Sequence, residues 1–383
     1  MKRGIALILI LAMMGSLGIS AAAAELDIAG KGACLMDLAT GTVLYEKNAH
    51  EKLSPASVTK VMTMLLIMEA MDSGKIGWGD SVTASESAAA KGGSQIYLKV
   101  GETMTVRELL KSVAVSSAND AACALAEHIA GSESAFVAAM NQRAKELGME
   151  DTHFVNCTGL DDDPEAKEHL TSAYDIALMS RELLKNHPKI MELTTIWMDT
   201  VRNGEFGLSN TNKLVRFYNG CTGLKTGYTS GAGFCLSASA ERDGLALIAV
   251  VLGCGTSQER FSACKSMLDY GFANYALVRP EEGQNHRIPV KLGKDAEVEA
   301  VTAEPVELLI DKAQRGSVTF RVELEDSVTA PVSRGQRLGT LTVMAGEQIL
   351  AQYPLVAVKS VEGLSFWELF SRVFGRLVMS PGA

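Results

Sequence analysis

Two side chains in the stretch SPASVTK, residues 54–60, have the types and spacing to make a nucleophile. Ser57 and Lys60 stand three apart, and on a helix positions i and i+3 share a face. A serine hydroxyl attacks a carbonyl at neutral pH only when a neighbour takes its proton. Lysine can be that neighbour only while uncharged, and burial or a second cation lowers its pKa. The apolar run that follows, VMTMLLIMEAM, offers the burial. A helix start also leaves backbone N–H groups free, so the N–H of Ser57 can help hold an oxyanion. The same pair would also serve as a plain N-cap and a solvated flank. S-x-x-K recurs at Ser262–Lys265, in a segment that reads as a surface helix.

Two further groups give the pair a context. Ser117-Ala118-Asn119 falls in a polar break between two helical patterns. A serine and an asparagine facing a cleft from such a break can relay a proton and hold a substrate amide, or simply cap the helices. Lys225-Thr226-Gly227 opens a strand-rich segment. A strand-edge lysine and threonine hydroxyl suit a carboxylate, and Gly227 would let a substrate backbone lie close beside the strand.

Positioning these groups requires several elements. Residues 31–47 alternate around a Thr-Gly turn and predict a β-hairpin. The helical period runs from about Ala56 to Met71, and a second helix covers MTVRELLKSVAVS before the Ser116–Asp120 break. Helices are predicted at 121–130, 133–147 and 172–186, the last signed by the capping stretch TSAYD. GFCLSASA and LALIAVVLG flank an Asp-Gly turn, a hairpin signal, and ERFSACKSMLDYGFANY closes the unit as a helix. Strands at both ends of the segment with helices between them predict an α/β sandwich on a mainly antiparallel sheet. After Pro280, short apolar runs from HRIPVKL to QILAQYPLVAV predict a small all-β domain. In GLSFWELFSRVFGRLVM, Phe366, Trp367, Leu369, Phe370, Val373, Phe374, Leu377 and Val378 share one half of a helical wheel. Ser365, Glu368, Ser371, Arg372 and Arg376 share the other. That pattern suits a helix lying in a membrane interface; a terminal helix docked on the protein's own core is the competing reading.

Composition narrows the setting. Lys2 and Arg3, an apolar run from Ile5 to Leu17 and the small-residue stretch SAAAA form a secretory signal pattern, with cleavage expected after Ala24 and a mature start at Glu25. Work at the outer face of the cytoplasmic membrane follows. The net charge of −9 and the lack of a Lys/Arg cluster ahead of the C-terminus argue against nucleic acid. Six scattered histidines without H-E-x-x-H imply no metal, and no cofactor is indicated. Seven cysteines without C-x-x-C read as buried thiols rather than a disulfide framework. The segments divide as 1–24 signal peptide, 25–279 catalytic domain, 280–359 β domain and 360–383 anchoring helix.

S-x-x-K, S-x-N and K-T-G in this order form the signature of penicillin-binding proteins and class A β-lactamases. SPASVTKVMT, SSANDAA and GLKTGYTSGAGFCL carry the resemblance, which covers nearly the whole chain. The chain most resembles the low-molecular-mass penicillin-binding proteins that are D-alanyl-D-alanine carboxypeptidases, peptidase family S11. The resemblance implies a penicillin-binding protein/β-lactamase-like transpeptidase fold, an antiparallel sheet with a helical subdomain, ahead of the β domain and amphipathic helix. It implies Ser57 as nucleophile, Lys60 as base, and Ser117 as the group passing a proton to the departing D-alanine. Asn119 would hold the acyl-side peptide, Lys225 and Thr226 the terminal carboxylate, and Arg260 would assist. The N–H groups of Ser57 and Tyr228 would form the oxyanion hole. Implied partners are the peptidoglycan pentapeptide stem, β-lactam inhibitors and the membrane surface. Tyr228 stands where many relatives carry histidine, and Ala118 where the lactamases carry aspartate.

Two rivals are distinguishable. A β-lactamase needs a carboxylate to activate its deacylating water; Glu165 and Glu168 lie in the right region but without a Glu-x-x-Leu-Asn pattern. A non-catalytic wall-binding protein would have no need of an activated nucleophile.

Overall fold

The computed structural model describes residues 26–162, 164–280 and 286–378. The expected signal segment and its cleavage point lie outside them. The first unit is built on β1 (Gly32–Asp37), β2 (Val43–Lys47), α1 (Lys60–Asp72), α2 (Val106–Ser116), α3 (Asn119–Ala130), α4 (Glu133–Glu146) and α5 (Ala173–Asn186). It ends with β3 (Cys221–Thr229), β4 (Gly233–Arg242), β5 (Leu245–Cys254), α6 (Ser257–Asn274) and β6 (Tyr275–Val278). The sheet order is β2-β1-β5-β4-β3, antiparallel throughout, so β3 is an edge.

Both faces of this sheet are covered. Alternate residues of β1 and β5 point to opposite sides: Cys34, Met36, Ile248, Val250 and Leu252 join the helical subdomain's core. Ala33, Leu35, Leu247, Ala249 and Val251 pack with Met267, Leu268 and Phe272 of α6. This explains why LALIAVVLG is apolar without alternation, as strands buried on two faces are. The first helix is apolar all round for the same reason. Val61, Met62, Met64, Leu65, Ile67 and Met68 are all buried, as expected of a helix through the centre of a core.

Local signals set the other boundaries. Reciprocal capping boxes start α2 (Thr105 with Glu108) and α6 (Thr256 with Glu259). At α5 only half of the expected box forms. Ser172 accepts from Asp175 N at 3.2 Å, while the Asp175 carboxylate instead accepts from Asp151 N and Thr152 Oγ1.

The second unit is β7 (His286–Lys291), β8 (Glu297–Thr302), β9 (Leu308–Asp311), β10 (Val318–Leu324), β11 (Val328–Thr329), β12 (Arg337–Ala345), β13 (Gln348–Ala357) and α7 (Phe366–Val378). Its sheet runs β10-β12-β13-β8-β7-β11, with only the β7–β11 pair parallel. One predicted strand does not join it. Residues 308–311 pair antiparallel with β6 of the first unit, Tyr275 opposite Asp311, so the two units share a ribbon.

From the polar side of α7, Arg372 reaches the β unit and donates to the carbonyls of Gly293 (3.2 Å) and Lys294 (3.1 Å). Phe366, Trp367, Phe370, Val373 and Phe374 stand exposed. The side chains of Arg376, Leu377 and Val378 lie outside the description. All seven cysteines are free thiols, six buried and Cys221 half-buried.

Candidate active site

Ser57 sits on a single 3-10 turn, Ala56–Thr59, that runs directly into α1. Ala56 takes a left-handed backbone, φ 47°. The turn is pinned from below by a chain of hydrogen bonds. Val155 N donates to His169 Nδ1 at 3.1 Å, which fixes Nε2 as the protonated nitrogen facing Thr59 Oγ1 at 2.7 Å. Thr59 Oγ1 donates in turn to Ala56 O at 2.8 Å. Burial first, then the neighbouring His153 and Lys60, push His169 down to about 4, so the ring stays neutral. Gly159 closes the other side: a Cβ there would meet Ala56 O at 1.8 Å.

Lys60 begins α1 and is fully buried. Its Nζ donates to Ser57 Oγ at 2.9 Å and to Thr158 O at 2.8 Å. Burial lowers its pKa from 10.5 to about 7, with Cys157 and Asp120 opposing the shift. A sizeable neutral fraction at pH 7 is what a base beside a serine requires.

The second wall comes from the α2–α3 break. Ser117 takes the left-handed conformation (φ 64°) that ends α2, and Asn119 starts α3. Asn119 is anchored on the 92–94 segment, its Nδ2 donating to Gly92 O and its N to Ser94 O, each at 2.7 Å. Ser117 Oγ and Asn119 Oδ1 are both buried without a protein partner. Buried polar atoms are nearly always satisfied, so two orphans separated only by Ala118 mark a surface shaped for something polar.

The third wall is β3. Lys225 is buried, with Nζ donating to Thr226 O at 2.9 Å. Burial, then the charges of Lys60 and Arg260, hold its pKa well below the lysine range. Thr226 Oγ1 donates to Thr211 Oγ1 at 2.7 Å. Arg260 reaches from α6 to donate to Gly227 O at 2.8 Å, and its Nε is a third orphan. Tyr228 is exposed and stacks on Phe234, centroids 4.3 Å apart. Gly227 also allows a close approach within the protein itself. A Cβ there would meet Pro55 O at 2.5 Å and the amides of Ser57 and Val58 at 3.1 Å. The strand's close approach is therefore to the protein's own turn at Pro55–Val58.

Three residues of the site carry little sequence signal of their own. Asp120, fully buried, accepts from the amides of Ile96 (3.2 Å) and Leu98 (2.9 Å) and so fixes the segment beside Asn119. Thr158 contributes only a carbonyl, and His169 lies 112 residues from Ser57 in the numbering. Adjacency to Asn119 in SSAND was the one available hint, for Asp120. Glu165 and Glu168 are exposed on a 3-10 turn, in no position to activate a water from a buried site. Among the described residues, Cys123, Glu133 and Cys157 form a buried cluster of metal-ligand types, but Glu133 already pairs with Lys91 at 2.6 Å.

The comparisons converge on one family. A family model described as D-alanyl-D-alanine carboxypeptidase, peptidase S11, matches residues 19–256, and one described as penicillin-binding protein 5, C-terminal domain, matches residues 281–363. The D-alanyl-D-alanine carboxypeptidase DacF of Bacillus subtilis is 44% identical over 92% of this chain and 90% of its own. Penicillin-binding protein 5 of Haemophilus influenzae superposes with a TM-score of 0.73 at 30% identity, covering 88% of this chain and 98% of that one. Penicillin-binding protein D2 of Listeria monocytogenes, solved in its ampicillin-bound form, gives 0.59 at 34% identity over 65% of this chain and 99% of its own.

Proposed function

We propose a mechanism from one premise: the chain belongs to the D-alanyl-D-alanine carboxypeptidase family, peptidase S11, of low-molecular-mass penicillin-binding proteins. It is a serine-type D-Ala-D-Ala carboxypeptidase. Ser57 is the nucleophile and Lys60 its base. Neutral Lys60 accepts the Ser57 proton as Oγ attacks the carbonyl between the two D-alanines. The N–H groups of Ser57 and Tyr228 hold the developing oxyanion. Ser117 relays the proton taken up by Lys60 to the departing amine, which leaves Lys60 neutral again; Asn119 holds the acyl-side amide, and Lys225 with Thr226 grips the terminal carboxylate. Arg260, bonded to Gly227 O, positions that strand. D-Alanine leaves, and water, deprotonated by the neutral Lys60, cleaves the ester as Lys60 returns that proton to the departing Ser57 Oγ. A carboxylate entering beside Lys225 and Arg260 stabilises their charged forms, which offsets the burial that lowers Lys225 in the bare site.

β-Lactams follow the same path to the first adduct. Ser57 opens the ring, the leaving amine stays tethered, and the acyl-enzyme persists.

The substrate is the pentapeptide stem of peptidoglycan, and trimming it limits cross-linking. The enzyme works on the outer face of the cytoplasmic membrane, held by the exposed aromatic side of α7. No helix among the described residues is long and apolar enough to cross a membrane.

The observation that carries the reading is the 2.9 Å contact between Lys60 Nζ and Ser57 Oγ with the amine fully buried. The test is D-alanine release from diacyl-Lys-D-Ala-D-Ala by wild type, Ser57→Ala and Lys60→Ala. Release by wild type alone is expected; none by wild type ends the assignment.

A further inference from the structure

Beside the Asn119 wall the molecule displays apolar surface that the carboxypeptidase chemistry leaves unused. Tyr97 is 67% exposed although Ile96 and Leu98 on either side are buried. Its backbone is left-handed, φ 58°, and so is that of Arg202 opposite, φ 53°. Such values are uncommon for bulky residues and persist only where the surroundings enforce them. Here they are enforced twice. Buried Asp120 clamps the amides of Ile96 and Leu98, while Arg202 donates to Ile96 O at 2.8 Å and pairs with Glu102 at 2.6 Å.

The result is a rigid platform. The Phe206 ring meets Tyr97 edge-on, centroids 6.3 Å apart, and the Arg202 guanidinium lies 5.4 Å over Phe206. These rings floor a groove of about 620 Å³, with Lys99, Glu102 and Glu205 among its polar lining. The size and the mix of aromatic faces with a few polar groups fit a small-molecule or saccharide site.

Continuity with the catalytic cleft selects the occupant. Ser94 O accepts from Asn119 N, and Tyr97 is three residues further on, at most about 11 Å along the chain. A substrate held at Asn119 by its D-alanyl end has the rest of its stem, and then the glycan to which that stem is joined, on the far side. A pyranose ring has flat C–H faces for an aromatic ring and hydroxyl and acetamido groups for lysine and carboxylates. We propose that the Tyr97–Phe206–Arg202 groove binds the glycan part of the peptidoglycan substrate, in register with the stem peptide in the catalytic cleft. This rests on the carboxypeptidase reading for its choice of substrate.

The test compares kcat/KM for D-alanine release from a disaccharide-pentapeptide and from the same pentapeptide without sugars. Wild type is expected to prefer the glycosylated substrate about tenfold, or 1.4 kcal/mol. Tyr97→Ala should bring that ratio to near one while the bare pentapeptide is turned over within twofold of wild type, and Tyr97→Trp should retain the preference. A wild-type ratio near one overturns the proposal, as does an equal loss on both substrates by Tyr97→Ala. If wild type releases no D-alanine from either substrate, the carboxypeptidase reading fails first. The groove is then read by co-sedimentation with insoluble glycan strands stripped of their peptides by an amidase. Pelleting of wild type but not of Tyr97→Ala supports the glycan site, and equal behaviour of the two removes it.

Discussion

The catalytic cleft and the C-terminal helix break the usual partition of residues in opposite directions. In the cleft, three cations, Lys60, Lys225 and Arg260, are buried, against the strong tendency of lysine and arginine to stay wet. On α7, Phe366 and Trp367 are each 72% exposed and Phe370 and Phe374 more than half, although such side chains are normally the first to be covered. The cleft places charge where solvent is excluded and thereby lowers a lysine's pKa. The helix turns its arginine toward the protein and its rings outward. Each departure costs folding stability, and each fits a proposed role that only the departure permits: proton abstraction by Lys60 in one case, insertion of the α7 rings among lipids in the other.

The sharpest way to break the cleft half of this contrast is at Ser57, the proposed nucleophile. Ser57→Ala should lose at least about 10³-fold in D-alanine release and all labelling by a fluorescent penicillin, with an unchanged far-ultraviolet spectrum. Lys60→Arg keeps a cation in place but one that cannot be deprotonated. Acylation should fall by about 10²–10⁴-fold, and wild-type acylation should rise with pH as Lys60, at about 7 in place of 10.5, loses its proton. An unchanged pH profile in Lys60→Arg would remove the lysine from its role.

His169 tests whether burial of a titratable ring supports the same turn. Its pKa falls from 6.5 unfolded to about 4 folded, so the unfolded chain binds more protons between those values. Stability from this group is complete above pH 6.5 and is lost as pH falls through 4, about 3 kcal/mol in all. Lys60 adds nothing in that window, since its own linkage lies between about 7 and 10.5. His169→Gln should flatten the acid limb of a stability-against-pH curve measured by denaturant titration.

Gly227→Ala should cost about 1–3 kcal/mol and slow acylation, because its methyl must displace Pro55 O; thermal melts and penicillin acylation rates measure both. The smallest catalytic effect belongs to α7. Phe370→Ser with Phe374→Ser should weaken flotation with anionic phospholipid vesicles by about tenfold or more and leave turnover of the soluble peptide unaltered. Full vesicle binding by this variant would return α7 to the status of a docked terminal helix.

The elements were legible to the extent that local rules decide them. The N-terminal cap of α5 at Ser172, the Asp-Gly hairpin and the apolar run of α1 could be read in place, because each depends on neighbours within a few residues. Residues 308–311 were read as a strand, yet nothing in PVELLI says that its partner is β6 rather than the small domain's sheet. Pairing is settled by hydrogen-bond partners distant in the chain. Gly227 was singled out correctly as a point of close approach, but the approaching backbone is Pro55–Val58, which no local pattern could supply. Asp120, Thr158 and His169 carry no local signal because their partners, the amides of Ile96 and Leu98, the Lys60 amine and the Thr59 hydroxyl, lie far away in sequence.

The sequence by itself determined which groups the enzyme possesses, the order of its three motifs, the helical and strand periods, and the two-sided character of the final helix. Each is a property of residue type and spacing. Only the tertiary structure decided that the Lys60 amine is dry and 2.9 Å from Ser57 Oγ, that β3 presses on the Ser57 turn, and that Arg372 of α7 bonds to the β unit while the rings stay exposed. Those facts depend on distance and solvent exclusion between segments up to two hundred residues apart, and pKa, steric contact and exposure exist only once the chain has closed around them.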